Sequence, residues 1–142
     1  MMMHCMDTEV LEVAADGKTA KGCWISPGHE TVPAKELPAG EQPRGDANWC
    51  WGKYEVEFIK ENGVWKIWHM ILYPLFKTSF YKSWGEPGAE FLKPGALNPM
   101  TGQRNPDYWV YDTDTVYPAD EPEPPLPYQS YADMPHKIGP KE

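Results

Sequence analysis

Two turn dipeptides constrain this chain more than any other feature. Asp16-Gly17 and Asn62-Gly63 each separate two β-prone runs. Such pairs tolerate the positive φ values that a tight hairpin needs. The first joins Thr8–Val13 to a returning strand over Thr19–Ser26, which carries Cys23, Trp24 and Ile25. The second joins a long strand over Asn48–Lys60 to another over Val64–Tyr73. In Asn48–Lys60, Tyr54, Val56 and Phe58 alternate with Lys53, Glu55 and Glu57, the period of a strand with two unlike faces. In Val64–Tyr73, alternation places Trp65, Ile67, His69, Ile71 and Tyr73 on one face and Val64, Lys66, Trp68, Met70 and Leu72 on the other. Both sets are largely apolar, so this strand reads as covered on both sides, at least in its second half. Pro74 is expected to end it.

The remaining segments read as loops and a tail. Pro27–Ala47 holds four Pro and three Gly, which argues against a central strand and for a long loop that shapes a site or an interface. Residues 75–111 scatter aromatics among Gly and Pro and read as a wrapping segment with at most a short helix. From Asp112 to Pro127 there are five acidic residues and no basic one, and Pro122–Pro127 is expected to be extended, polyproline-like chain. Tyr117, Tyr128 and Tyr131 are candidates to pin this tail on a neighbouring surface. The chain therefore divides into a domain over 1–111 and an acidic, proline-rich tail over 112–142, the tail being a partner-binding segment or a solvated strap. No amphipathic helix of three or more turns is evident. Four strands with an apolar face need a cover, so either a helix layer is missing or a second copy supplies it, and a homodimer or higher oligomer is expected.

Charge and cysteine usage exclude several functions. The net charge is −8 and no basic stretch exists to neutralise phosphates, so no nucleic-acid partner is expected. No apolar run is long enough for a transmembrane helix, and Met1–Asp7 has neither the basic nor the apolar part of a secretory signal. Cys5, Cys23 and Cys50 are odd in number with no CxxC spacing, which points to reduced thiols and a cytoplasmic setting. No His, Asp and Glu set has metal-ligand spacing, and no Gly-rich loop opens a helix for a phosphate, so neither a metal nor another cofactor is expected.

Aromatic residues supply the candidate binding surface. Five of the seven Trp fall between residues 24 and 68. Trp24, Trp49, Trp51, Tyr54, Trp68 and Tyr73 form either an aromatic wall for a flat apolar ligand or core and dimer interface. His69 either lines the same pocket or is a buried structural histidine. His29 and His136 have no partner legible in the sequence.

Three segments in order carry a resemblance. They are His4-x-Met6-x-Thr8-x-Val10-x-Glu12-Val13 running through Asp16-Gly17-Lys18-Thr19-Ala20-Lys21-Gly22-x-Trp24-Ile25-Ser26-Pro27-Gly28; Trp51-Gly52-Lys53-Tyr54 running to Gly63-x-Trp65-Lys66-Ile67-Trp68-His69; and Tyr111-x-x-Asp114-Thr115-Val116-Tyr117 with Pro125-Leu126-Pro127-Tyr128. Together they resemble the SnoaL-like branch of the NTF2-like superfamily. The resemblance implies an α+β cone, in which a curved antiparallel sheet wraps N-terminal helices around a cavity for an apolar small molecule. It also implies that these residues correspond to the C-terminal portion of the family domain. Members that act as dehydratases or cyclases use a Tyr and an Asp from the first helix and a His at the mouth of the sheet. Only the His has a counterpart here, His4, which is either the acid/base or a frayed terminal residue. The implied function is cofactor-independent lyase, isomerase or cyclase chemistry on an apolar, aromatic or polycyclic substrate. The alternative is a non-catalytic ligand-binding or dimerisation module.

Overall fold

The computed structural model describes residues 1–33, 46–86, 95–97, 102, 104, 111–115 and 121–133. Five strands form one antiparallel sheet: β1 (Met2–His4), β2 (Asp7–Val13), β3 (Thr19–Val32), β4 (Asp46–Glu61) and β5 (Val64–Ser79). β1 and β2 pair end to end along the outer edge of β3, and β4 and β5 follow on its other side. Among the described residues the helical content is one 3-10 turn, Tyr131–Asp133. The architecture is that of a sheet-dominated domain. The helical half of the expected α+β cone is not among the described residues.

Both hairpins form where the turn dipeptides place them. Asn62 and Gly63 have φ of 51° and 81°, the doubly positive signature of a type I′ turn. At the first turn Gly17 has φ 68°, its N–H donates to Ala14 O at 2.8 Å, and Asp16 Oδ1 accepts the Lys18 N–H at 2.9 Å.

Two proline-based expectations are corrected. Pro27–Val32 is not loop but the second half of β3, paired with Asp46–Trp51 of β4; residues 34–45 lie outside the described part. Pro27 O accepts the Cys5 N–H at 3.0 Å, so the polar edge of Pro27 faces the junction between β1 and β2. A strand residue presents its N–H and C=O on the same edge. The missing donor of Pro27 therefore falls where the outer ladder is already interrupted. Pro74 likewise does not end β5, which runs on to Ser79. β5 is an edge strand, where a lost donor is tolerated.

Two bulges in β5 decide which side chains share a face. Phe58 pairs with Ile67 but Glu57 with His69, so Trp68 is an extra residue; Gly52 pairs with Pro74 but Trp51 with Phe76, so Leu75 is another. Each insertion shifts the residues beyond it to the opposite face. His69, Ile71, Tyr73 and Phe76 lie on one face, while Ile67, Met70, Leu72 and Lys77 lie on the other. The simple alternation expected for Val64–Tyr73, with Ile67 and His69 on one side, is thus broken at Trp68.

The two faces are covered differently. On one face the segment 121–133 crosses the sheet and buries Pro122, Pro125 and Tyr128. It is tied down by Ala15 N–H to Tyr128 O at 2.9 Å, Asp16 N–H to Gln129 O at 3.1 Å, and Tyr128 Oη to Thr19 Oγ1 at 3.2 Å. Lys53 Nζ also donates to the Glu121 carbonyl. This is the tail face. The other face carries His4. Its buried part is built on Ala20, Trp24, Ser26, Glu30, Cys50 and Val56, and Leu11, Val13, Ile67, Met70 and Leu72 stand exposed around it.

Candidate functional site

Register across four strands assembles the His4 cluster. His4 pairs with Gly28, Gly28 with Cys50, and Cys50 with Lys77, while Glu30 stands two residues further along β3 on the same face. A Cβ at Gly28 would overlap the His4 ring and come within 2.7 Å of the Cys50 carbonyl oxygen. The glycine therefore makes the room in which the imidazole lies. His4 Nε2 is 3.3 Å from Glu30 Oε1, and Lys77 Nζ donates to Glu30 Oε2. His4 is a strand residue held by a carboxylate, not a frayed terminus.

The electrostatics keep the carboxylate of this cluster ionised. Burial pushes the Glu30 carboxyl up, but the hydrogen bonds and charges of Lys77 and His4 outweigh it and hold the pKa below the ordinary glutamate value. Burial, and then the nearby Glu30 charge, pushes the Cys50 thiol up to about 11. Burial also raises Tyr54, which remains a phenol. Ser26, wholly buried on this face, sits beside the Tyr54 phenol, and the hydrogen bond between them partly offsets the upward shift of Tyr54.

His4, Glu30 and Cys50 place three donor atoms within 4.8 Å of one another, a grouping that their sequence separation conceals. These are the described residues that could hold a cation. The chemistry fits one poorly, because Lys77 already neutralises Glu30 and the thiol is held protonated. A metal needs the thiolate.

A second cluster of the same composition lies on the tail face. Lys21, Glu57 and His69 occupy one rung of register across β3, β4 and β5. Lys21 Nζ is 2.9 Å from Glu57 Oε1, and His69 Nδ1 is 2.8 Å from Glu57 Oε2. Tyr131 Oη donates to the same carboxylate at 3.2 Å, and Trp68 packs between His69 and Tyr131 at 4.8 and 4.6 Å between ring centroids. Burial raises the Glu57 carboxyl, but Lys21, His69 and Tyr131 together bring it below the ordinary value.

The aromatic candidates do not form one wall. Trp24 and Tyr54 face the His4 side; Trp49, Trp51, His69 and Tyr73 face the tail side, with bulged Trp68 against Tyr131. Tyr73 is buried and donates to Glu55 Oε2 at 2.6 Å, and His69 is tied to a carboxylate rather than to a backbone carbonyl. Trp49 and Trp51 line a cavity of about 500 Å³ with Phe76, Trp84 and Tyr111, on the face away from His4. His29 packs against Trp49, 4.7 Å between centroids, and His136 lies outside the described residues.

Glu30 and Lys77 were not legible as partners of His4. Strand alternation without the bulge at Leu75 puts Lys77 on the wrong face, and Glu30 lay in an expected loop. The sequence signal for the site was the family resemblance that singled out His4; Gly28 lay, like Glu30, in an expected loop.

Among the described residues no helix is long and apolar enough to cross a membrane. Comparison with curated proteins gives no match. Residues 1–71, which carry His4, Gly28, Glu30 and Cys50 and both hairpin turns, match the family model described as a SnoaL-like domain, so the chain belongs to the SnoaL-like family.

Proposed function

We propose that this SnoaL-like protein binds an apolar, aromatic or polycyclic small molecule on its His4 face and moves a proton on it without a cofactor. Elimination, isomerisation and aldol-type cyclisation all need only such a step. The observation that carries the reading is the pairing of His4 with an ionised, buried Glu30 over the space left by Gly28. An imidazole held by a carboxylate can accept a proton and return it. The 3.3 Å separation is long, as catalytic hydrogen bonds in free enzymes often are. Lys77 is a positioning residue, which keeps Glu30 ionised. Trp24 and Tyr54 stand on the same face, and the exposed Leu11, Val13, Met70 and Leu72 supply apolar contact area.

The same apolar border supports a homodimer, and the three free thiols support a cytoplasmic setting. Light scattering at micromolar concentration should give at least twice the mass of one chain; a clean monomer removes the dimer. Proton transfer is tested by deuterium uptake at the α-carbon of 1-tetralone in D2O. Protein-dependent exchange that falls about 100-fold in His4→Ala supports the reading. Equal exchange in the folded His4→Ala variant removes it and leaves the non-catalytic ligand-binding or dimerisation module as the account.

A further inference from the structure

We propose that the aromatic cavity on the tail face is a second binding site, separate from His4, for a neutral, flat molecule of two or three fused or linked rings. The cavity is about 500 Å³ and is walled by Trp49, Trp51, Phe76, Trp84 and Tyr111. That size lies within the range of sites that enclose small organic ligands. Among the described residues, no carboxylate, ammonium, guanidinium or imidazole lines it. A charged ligand would therefore be desolvated without an ion-pair partner, which disfavours it.

Its walls are preformed by their mutual packing. Phe76 lies 6.0 Å from Trp51 at an interplanar angle of 17°, 6.4 Å from Trp84, and 5.7 Å from Tyr111 at 56°. Near-parallel and tilted rings together present both a stacking surface and edges, the two arrangements that aromatic ligands prefer. The bulge at Leu75 puts Phe76 on this face, and the Leu75 carbonyl accepts the Tyr111 N–H at 3.1 Å, which fixes the far wall. Trp51 and Trp84 nevertheless keep 37% and 56% of their surface exposed. Large indoles left exposed around an open apolar hollow are what a bound ring would cover.

The site does not depend on the proton-transfer reading, because its lining shares no residue with the His4 cluster. The test is titration of the full chain with N-phenyl-1-naphthylamine, a neutral fluorescent probe, and in parallel with benzyltrimethylammonium. Saturable binding of the neutral probe is expected, with a component that is weakened at least tenfold in Trp84→Ala and unchanged in Ile67→Ser on the opposite face. Trp84 sits in an exposed turn, so its truncation leaves the sheet folded, which circular dichroism checks. Three results would overturn the proposal: no binding of the neutral probe, binding that Ile67→Ser weakens and Trp84→Ala does not, or preference for the quaternary cation. The last would make the cavity a cation cage instead.

Discussion

The sheet builds the same trio twice, once on each face. Glu30 is flanked by His4 and Lys77, and Glu57 by His69 and Lys21. Both carboxylates are held below their ordinary pKa by the same kinds of partner. What differs is the cover. The Glu57 trio carries Tyr131 as an additional hydrogen-bond donor and Trp68 as a lid; its lysine side chain is 8% exposed, while its histidine, at 25%, is as open as His4. The Glu30 trio lies under no described strap, and its histidine and lysine are 22% and 20% exposed. The same chemistry thus anchors a tail on one side and stands without a described strap on the other, where the lysine is the more exposed of the two.

If that contrast is right, the two carboxylates differ in energetic weight. Glu57→Ala strands the Lys21 ammonium in a nearly dry position, and breaking a buried pair in this way costs about 3–5 kcal/mol. Glu30→Ala leaves Lys77 and His4 able to turn toward water, so a loss of about 1–2 kcal/mol is expected, nearer that of a hydrogen bond to a charged group. Urea unfolding of both variants checks this. Equal losses would mean that the two trios are equally buried in energetic terms and that the contrast fails.

The His4 trio has a weakness that the other lacks, its dependence on an absent Cβ. Gly28→Ala must displace the His4 ring and press on the Cys50 carbonyl, a backbone atom that cannot swing away. Overpacking of this kind costs about 1–3 kcal/mol. The expected outcome is a moved His4 ring resonance and lost tetralone exchange, with Trp68 fluorescence unchanged because the tail face is untouched.

Acid separates the faces by a different route. Because the folded-state pKa of Glu57 is depressed, its stabilising contribution is complete above the ordinary glutamate value of 4.5 and disappears as the pH falls through the lower folded value. The tail shares that carboxylate through Tyr131. Hydrogen exchange of amides in 121–133 should therefore accelerate as the pH drops below about 4.5, after correction for intrinsic rates. Glu57→Gln should flatten that response, whereas Glu30→Gln should not.

Much of this was legible, and the reason it stops is geometric. Asn62-Gly63 and Asp16-Gly17 fixed both hairpins because a doubly positive or glycine-dependent turn has few alternatives. The alternation of Tyr54, Val56 and Phe58 against Lys53, Glu55 and Glu57 was correct because β4 is paired on both sides. β5 was misread beyond Ile67, because a bulge adds a residue without any composition of its own to announce it. That one-residue insertion separates His69 from Ile67, and a second brings Lys77 to Glu30 and Phe76 to Trp51. Pro27 was misread for a related reason: its cost depends on whether the facing strand is intact, which lies in the edge partner and not in the proline. His4 was found through family resemblance, while its partner Glu30 required the full length of β3.

The smallest effect sharpens the comparison most. Tyr131→Phe removes one hydroxyl from the tail and nothing else. Burial, and then the Glu57 charge, holds the Tyr131 phenol up to about 12, so it remains a donor throughout the neutral range. Its bond to Glu57 is 3.2 Å and partly open to water, so its loss is worth about 0.5–1.5 kcal/mol. The ring still packs on Trp68, 4.6 Å between centroids, and Lys21 still lies 5.2 Å from the ring centre. The variant should therefore keep the strap docked, with slightly faster exchange in 121–133 and an unchanged Trp68 emission maximum. A strap that detaches altogether would show that the hydroxyl, and not the apolar packing of Pro122, Pro125 and Tyr128, closes this face. The cover that distinguishes the two trios would then be a single hydrogen bond.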